Sequence, residues 1–555
     1  MNADIGVDAA TDSAPDTALD IEGEGGELAV AALRNAGVDT VFTLSGGHIF
    51  SLLHAADEAG LRIVDVRHEQ TAVFAAEAYA KLTRGPGVAL LTAGPGVTNG
   101  ISAMAGAWFN GSPLVVLGGR ASQRRWGSGS LQELDHVPMV APVTKAARTV
   151  TATDRIADEV RDALALATSP HRGPVFLDFP IDVLHRRAAV ALANAPLKQA
   201  SSPDPDEIGK AAELLAGAER PALVAGGDVW WGGAWNALRH CAEELRVPVF
   251  MNGQGRGCLP ADHELAFARA RRALTEADVV AVVGTPLDFR LSFGRFKDAQ
   301  VVHIVDDPAQ RAAHVATAAA PAGDLAAILD AMAAWRGERR GHEEWIGRLQ
   351  ERERALRRAE EARLCSDSTP IHPARVVGEV RAQLDRDAVV VGDGGDFVSY
   401  AGKFLDSHRP GHWLDPGPYG CLGSGVGYAA AARLRHPGRQ VALLLGDGAF
   451  GFSASDVDTL VRHRLPVAMI VGNNGIWGLE KHPMRELYGS DVAADLRPGC
   501  RYDRLVEALG GAGETVERPA DIAPALRRAF AADAPYLVNV LTDPKVSYQR
   551  SSKLG

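Results

Sequence analysis

Residues Leu443 to Pro483 read LLLGDGAFGFSASDVDTLVRHRLPVAMIVGNNGIWGLEKHP. Two apolar runs lie within this stretch. One closes on Gly446-Asp447-Gly448, the other on Asn473-Asn474-Gly475. Short apolar runs bounded by turn residues read as fully buried strands of a parallel sheet. In such sheets ligands collect outside the carboxyl ends of the strands. Asp447 and Asn474, 27 positions apart, each place a hard oxygen there. A carboxylate with an amide carbonyl suits Mg²⁺ or Ca²⁺ better than zinc. Magnesium keeps waters and phosphate oxygens in its shell, so a phosphorylated ligand is implied. Gly446 and Gly448 allow close backbone approach, and a helix expected to start near Ser453 could turn its N-terminus toward phosphate.

The same strand-then-helix alternation recurs along the chain. Residues 24–187 carry the apolar runs TVFTL, RIVDVR, GVALLTA, PLVVLGG and PVFLDFP. Residues 205–335 carry PALVAGG, VPVFMN, VVAVVG and QVVHIVD, and 370–555 carry AVVVGDGG, QVALLLGDG, PVAMIVGNN and YLVNVLTD. The expected fold is α/β, with three doubly wound parallel-sheet domains. The first and third blocks match in size and style, which suggests an internal duplication. AVALANAPLKQASSPDPDE reads as a linker, and the charged stretch from Trp335 to Leu364 as a solvated connecting helix.

With 555 residues the chain is too long for one core. A net charge of −11 argues against a general nucleic-acid or anionic-membrane partner. The acidic stretch 1–23 lacks the basic start and apolar core of a signal peptide and reads as a mobile tail. No apolar run reaches the ~18 residues of a transmembrane helix. Five scattered cysteines without a CxxC pair read as reduced thiols of a cytoplasmic protein.

GDG followed by NN over this length resembles the diphosphate-binding motif of thiamine diphosphate (ThDP) enzymes. The resemblance implies that Asp447, Asn474 and the backbone carbonyl of Ile476 hold Mg²⁺, which holds the diphosphate. It also demands a glutamate on the pyrimidine-binding domain, after a strand. Glu69 in RIVDVRHEQTAVFAAEAYA answers it, with GPGVTN following at Gly94–Asn99. A semi-buried carboxyl there can share a proton with the aminopyrimidine ring and favour the tautomer that deprotonates the thiazolium carbon. Leu422 in WLDPGPYGCLGSGVGYAAAARL falls where the family places an apolar wedge beneath the bent cofactor. By the same resemblance Gly46, Gly47, Pro95, Asn99, Gly446, Gly448, Ala449 and Trp477 line the cofactor, and the site forms between subunits of a homodimer or homotetramer. The likeness runs from about Glu24 to the C-terminus.

Within the family the chain resembles the acetolactate synthase, oxalyl-CoA decarboxylase and 2-hydroxyacyl-CoA lyase branch. Gln132, in GSLQELDH, matches a position facing the reaction centre. Pro483 stands where synthases carry a tryptophan that shapes the second 2-keto acid pocket, and Glu480 replaces a small apolar residue. A carboxylate there would repel a 2-keto acid but could take the proton from a 2-hydroxyl. The reading therefore favours a lyase that cleaves a 2-hydroxyacyl-CoA to an aldehyde or ketone plus formyl-CoA, with Glu480 as acid/base. Acetolactate-synthase-type condensation of 2-keto acids is the alternative, and a non-catalytic nucleotide-binding paralogue a third. The middle block resembles the domain that binds FAD in synthases and ADP or CoA in acyl-CoA members. Arg271, Arg290 and Asp306 are its candidate nucleotide contacts. Lys545, Arg550 and Lys553 in LTDPKVSYQRSSKLG are candidates for CoA phosphates in a covering C-terminal segment.

Overall fold

The computed structural model describes residues 19–193 and 201–548. Three α/β units follow one another. The first sheet has six parallel strands in spatial order Arg62–Asp65, Thr40–Leu44, Gly87–Leu91, Leu114–Arg120, Val175–Pro180 and Ala146–Thr149. The third runs Trp413–Leu414, Val389–Asp393, Val441–Gly446, Ala468–Asn473, Tyr536–Leu541 and Ala512–Val516, again all parallel. Numbered from its own first strand, each sheet reads 2-1-3-4-6-5. Two sheets of one order support the duplication suggested by the sequence. The middle sheet reads 3-2-1-4-5: Ala266–Phe267, Val249–Met251, Pro221–Ala225, Val279–Val283 and Gln300–Ile304.

Central strands such as Gly87–Leu91 and Val441–Gly446 are buried along their whole length, because helices cover both faces. In each sheet the chain reverses its winding direction between the first strand and a later one, and the crevice there is the natural ligand site. For the third sheet that crevice opens between Val389–Asp393 and Val441–Gly446, directly over Asp447.

Seven elements differ from expectation. Leu19–Glu24 is a strand paired antiparallel with Arg187–Leu192, so part of the stretch read as a tail is a strand. The pairing also claims the first residues of the stretch read as a linker. Ala146–Thr149, Ala266–Phe267, Trp413–Leu414 and Ala512–Val516 are edge strands too short or too polar to show as apolar runs. The connecting helix, Glu343–Leu364, is solvated on one side only. Trp345, Ile346 and Leu349 are buried against the middle unit, and Glu353 accepts the backbone N–H groups of Arg269 and Ala270 at 2.8 and 2.9 Å.

The first and third units meet through the helices Glu69–Thr83 and Gly425–Arg435. A Cβ on Gly427 would lie 2.9 Å from the Thr71 carbonyl oxygen, so the two backbones touch. Glu77, fully buried, is the polar node of this junction. It pairs with Lys81 Nζ at 2.9 Å and accepts from Tyr428 Oη at 2.6 Å, Asn110 Nδ2 at 2.8 Å and Ser112 Oγ at 3.1 Å. The Lys81 carbonyl accepts Trp230 Nε1 at 2.7 Å, which ties in the middle unit. Removing one partner leaves a buried charge uncompensated. Glu77→Ala is expected to lower unfolding free energy by about 3–5 kcal/mol, measured by urea denaturation. A loss within ~0.5 kcal/mol, the range of an ordinary surface change, would refute the junction's importance.

Candidate functional site

The Gly-Asp-Gly turn is built as the end of Val441–Gly446 and the immediate start of a helix, Asp447–Ser453. The helix expected to start near Ser453 therefore ends there. Gly448 and Gly451, poor helix formers, hid its beginning. Asp447 is 2% exposed, and its Oδ2 accepts the Gly475 N–H at 3.0 Å. Asn474 is 8% exposed and follows the strand Ala468–Asn473. Its Oδ1 accepts the Ile476 N–H at 3.1 Å, and its Nδ2 donates to Asp396 Oδ2 at 3.3 Å. The two motifs quoted first thus touch: the backbone of the second turn binds the carboxylate of the first.

Burial pushes the Asp447 carboxyl up to about 7 despite its backbone N–H partners. Burial, with the charge of Glu480, lifts Asp396 to about 6. Two desolvated carboxyls beside an amide oxygen form a site short of positive charge. A hard divalent cation fits that donor set. Asp396 escaped the sequence reading. Its signal was a second Gly-Asp pairing, in Gly392-Asp393-Gly394-Gly395-Asp396, at the end of the neighbouring strand.

Asp393, in the same run, accepts the N–H groups of Gly423 and Gly425 at 3.2 and 2.8 Å. It thereby anchors the loop that carries Leu422. Gly394 has φ +49°, and a Cβ there would lie 2.2 Å from Leu422 Cδ2 and 2.8 Å from the Ala449 Cβ. A Cβ on Gly448 would lie 2.5 Å from the Trp477 ring. Leu422, Ala449, Gly446, Gly448, Ile476 and Trp477 therefore gather around Asp447. Glu480, exposed in the first turn of the helix Gly478–Tyr488, acts electrostatically on Asp396. Pro483 sits inside that helix.

The remaining expected site residues lie on the first unit. Glu69 opens the helix Glu69–Thr83, is 7% exposed and accepts from Asn99 Nδ2 at 2.9 Å. Asn99 lies in the first turns of Pro95–Phe109, whose first residue is Pro95. Gly46 packs so closely on Thr92 that a Cβ would lie 2.4 Å from its side chain, and Gly47 starts the following short helical turn. Gln132, with φ +58°, rests against Gly94. Next to Glu69, Gln70 Nε2 donates to the Leu422 carbonyl at 3.3 Å.

Arg271 and Arg290 line a cavity of about 720 Å³ between the middle and third units. Arg271 Nη1 donates to the Met251 carbonyl at 3.2 Å. Arg290 is held by Asp288, with Nη2 2.7 Å from Oδ2. Asp306, 5% exposed, is not among the residues that line this cavity. It pairs with His171 at 3.1 Å and Arg172 at 3.7 Å, both from the first unit. Lys545 is exposed, and Tyr548, three residues on, lines the cavity and packs edge-on against Tyr400. Arg550 and Lys553 lie outside the described residues. Among the described residues no helix is long and apolar enough to cross a membrane.

Three family descriptions match in order: the N-terminal TPP (thiamine pyrophosphate, that is ThDP) binding domain of thiamine pyrophosphate enzymes at residues 23–139, their central domain at 208–332 and their C-terminal TPP binding domain at 393–540. The chain is 53% identical to the acetolactate synthase large subunit IlvG of Mycobacterium tuberculosis, over 98% of this chain and all of that one. It is 35% identical to 2-hydroxyacyl-CoA lyase 2 of Caenorhabditis elegans, over 89% and 84% of the two chains. The human protein of that name is 34% identical, over 89% and 85%. With its glycine-lined sheet crevices, its Asp447–Asn474 pair and full-length relatives, the chain belongs to the thiamine diphosphate enzyme family.

Proposed function

We propose that the protein is an acetolactate-synthase-type enzyme, dependent on ThDP and Mg²⁺, that decarboxylates pyruvate and joins the product to a second 2-keto acid. The observation that carries this reading is the 53% identity extending over all of a protein named acetolactate synthase, against 35% for the lyase. It reverses the preference for the lyase drawn from Glu480 and Pro483.

Bound ThDP supplies a nucleophilic thiazolium carbon and an electron sink for breaking a bond beside a carbonyl. The protein's own residues do the rest. Asp447, Asn474 and the Ile476 carbonyl would hold Mg²⁺ and through it the diphosphate. Glu69, fixed by Asn99, would hold a proton at the aminopyrimidine ring nitrogen. Leu422, propped over Gly394, would wedge beneath the cofactor, and Gln132 would face the substrate. The cavity beside Arg271 and Arg290 would take a nucleotide, ADP or FAD.

One observation favours the lyase as a second reading. Asp396 and Glu480 bring two carboxyls to the same crevice. They oppose an incoming 2-keto acid carboxylate and suit removal of a proton from a neutral 2-hydroxyl.

Trp126, Leu131 and Met139 flank Gln132 in sequence and are 40–77% exposed, while Phe452, near Asp447, is 59% exposed. Apolar surface at both halves of the site supports a homodimer or homotetramer with shared active sites.

Three measurements test these readings. The holoenzyme given pyruvate is expected to form acetolactate, and given a 2-hydroxyacyl-CoA to leave the thioester intact. Formyl-CoA release without acetolactate would reverse the assignment to the lyase. Asp447→Ala is expected to lose bound ThDP on gel filtration; unchanged cofactor content would remove Asp447 from the metal site. Finally, Glu69→Gln and Asp447→Ala subunits, each inactive alone, should recover about a quarter of wild-type activity when refolded together, since a hybrid dimer keeps one intact site. No recovery would place each site within a single subunit.

A further inference from the structure

We infer that His136, held by Asp178, is a positioning residue that sets the Gly94 turn and through it both Gln132 and Glu69. The inference rests on the roles proposed above for those two residues.

Gly94 turns the chain from the strand Gly87–Leu91 into the helix Pro95–Phe109, at φ +60° and ψ −112°. Its buried N–H needs a partner and donates to His136 Nε2 at 2.9 Å. A backbone N–H cannot accept, so Nε2 is the unprotonated nitrogen and Nδ1 carries the proton. Nδ1 then donates to Asp178 Oδ2 at 2.9 Å. His136 and Asp178 are both fully buried. Arg120 Nη1 donates to the same Asp178 oxygen at 3.0 Å and to Asp135 at 3.0 Å. Arg120 and Asp178 lie on neighbouring parallel strands, so the relay is rooted in the sheet.

Two proposed site residues depend on what the relay holds. A Cβ at Gly94 would lie 2.9 Å from Gln132 Cβ and 3.2 Å from its carbonyl oxygen, so Gln132 rests on the turn. One turn into the helix that begins at Pro95, Asn99 binds Glu69 at 2.9 Å. Shifting Gly94 moves both. A buried charged relay adds little stability over a well-packed apolar replacement, which points to geometry as its use.

The test compares His136→Leu, which removes the acceptor, with His136→Gln, whose Oε1 can reach the Nε2 position. Three quantities are read: protection of the Gly94 amide in the apoenzyme by hydrogen-exchange mass spectrometry, the ThDP dissociation constant, and the rate of thiazolium C2 proton exchange in the holoenzyme. His136→Leu should expose the Gly94 amide and slow C2 exchange at least about tenfold, as sub-ångström to 1 Å misplacements do. ThDP affinity should stay within about threefold, because Asp447 and Asn474 are on another unit. His136→Gln should restore part of both losses. Wild-type C2 exchange in His136→Leu, unchanged Gly94 protection, or a glutamine variant no better than the leucine one would overturn the inference. Should His136→Leu fail to fold, Asp178→Ala, which removes the acceptor of His136 Nδ1–H, is read the same way. Glu69→Gln separates the two levels. Slowed exchange there with normal exchange in His136→Leu defeats only the relay, whereas normal exchange in Glu69→Gln defeats the role of Glu69 itself.

Discussion

Where two parallel strands part at a winding reversal, the loops leaving them come so close that a side chain has no room. Gly46 against Thr92 and Gly226 against Thr285 show this, with a missing Cβ that would lie 2.2–2.4 Å from its neighbour, and Gly394 against Ala449 shows it at 2.8 Å. Glycine at these points lets each sheet keep an open crevice at its carboxyl edge while its strands stay hydrogen-bonded below. The arrangement of the whole site follows. Thr92, Gly94 and Pro95 are carried at the first crevice, and Asp396, Leu422 and Asp447 at the third.

What fills the third crevice is decided by electrostatics. Asp393, Asp396 and Asp447 are all buried, and each carboxyl is pushed above its ordinary range by desolvation. They are not equivalent. Asp393 spends its oxygens on the Gly423 and Gly425 N–H groups and so supports a loop. Asp447 and Asp396 keep acceptor capacity toward the crevice, beside Asn474. The first acts as architecture, and the other two make a place that favours a cation.

Much of this was legible in the sequence because the chemistry and the fold use the same residues. Apolar runs ending in Gly-Asp-Gly and Asn-Asn-Gly marked both the strands and the candidate site, and Glu69 followed its strand as expected. Asp396 was harder to see, since nothing in the run around it distinguishes the aspartate that supports a loop from the one that faces the crevice. Edge strands such as Trp413–Leu414 have too few apolar residues to register. Asp306 follows its strand as expected, and its partners His171 and Arg172 lie 135 and 134 positions away in sequence, beyond any local pattern. The choice between condensation and cleavage turned on Glu480 and Pro483, two residues in a chain whose full length is nearer in sequence to a synthase.

The cavity beside Arg271 has walls from two separately folded units: Met251, Arg269 and Arg290 from the middle one, Ser399, Lys403 and Asp406 from the third. Arg269 already bridges them, at 2.8 Å from Asp406. Any molecule that binds there binds the docked arrangement and not either unit alone. Its binding free energy is therefore added to the docking equilibrium by mass action, about 2.7 kcal/mol at a hundredfold excess over its dissociation constant. Ligand concentration thereby becomes a variable in how tightly the middle and third units of this chain hold together.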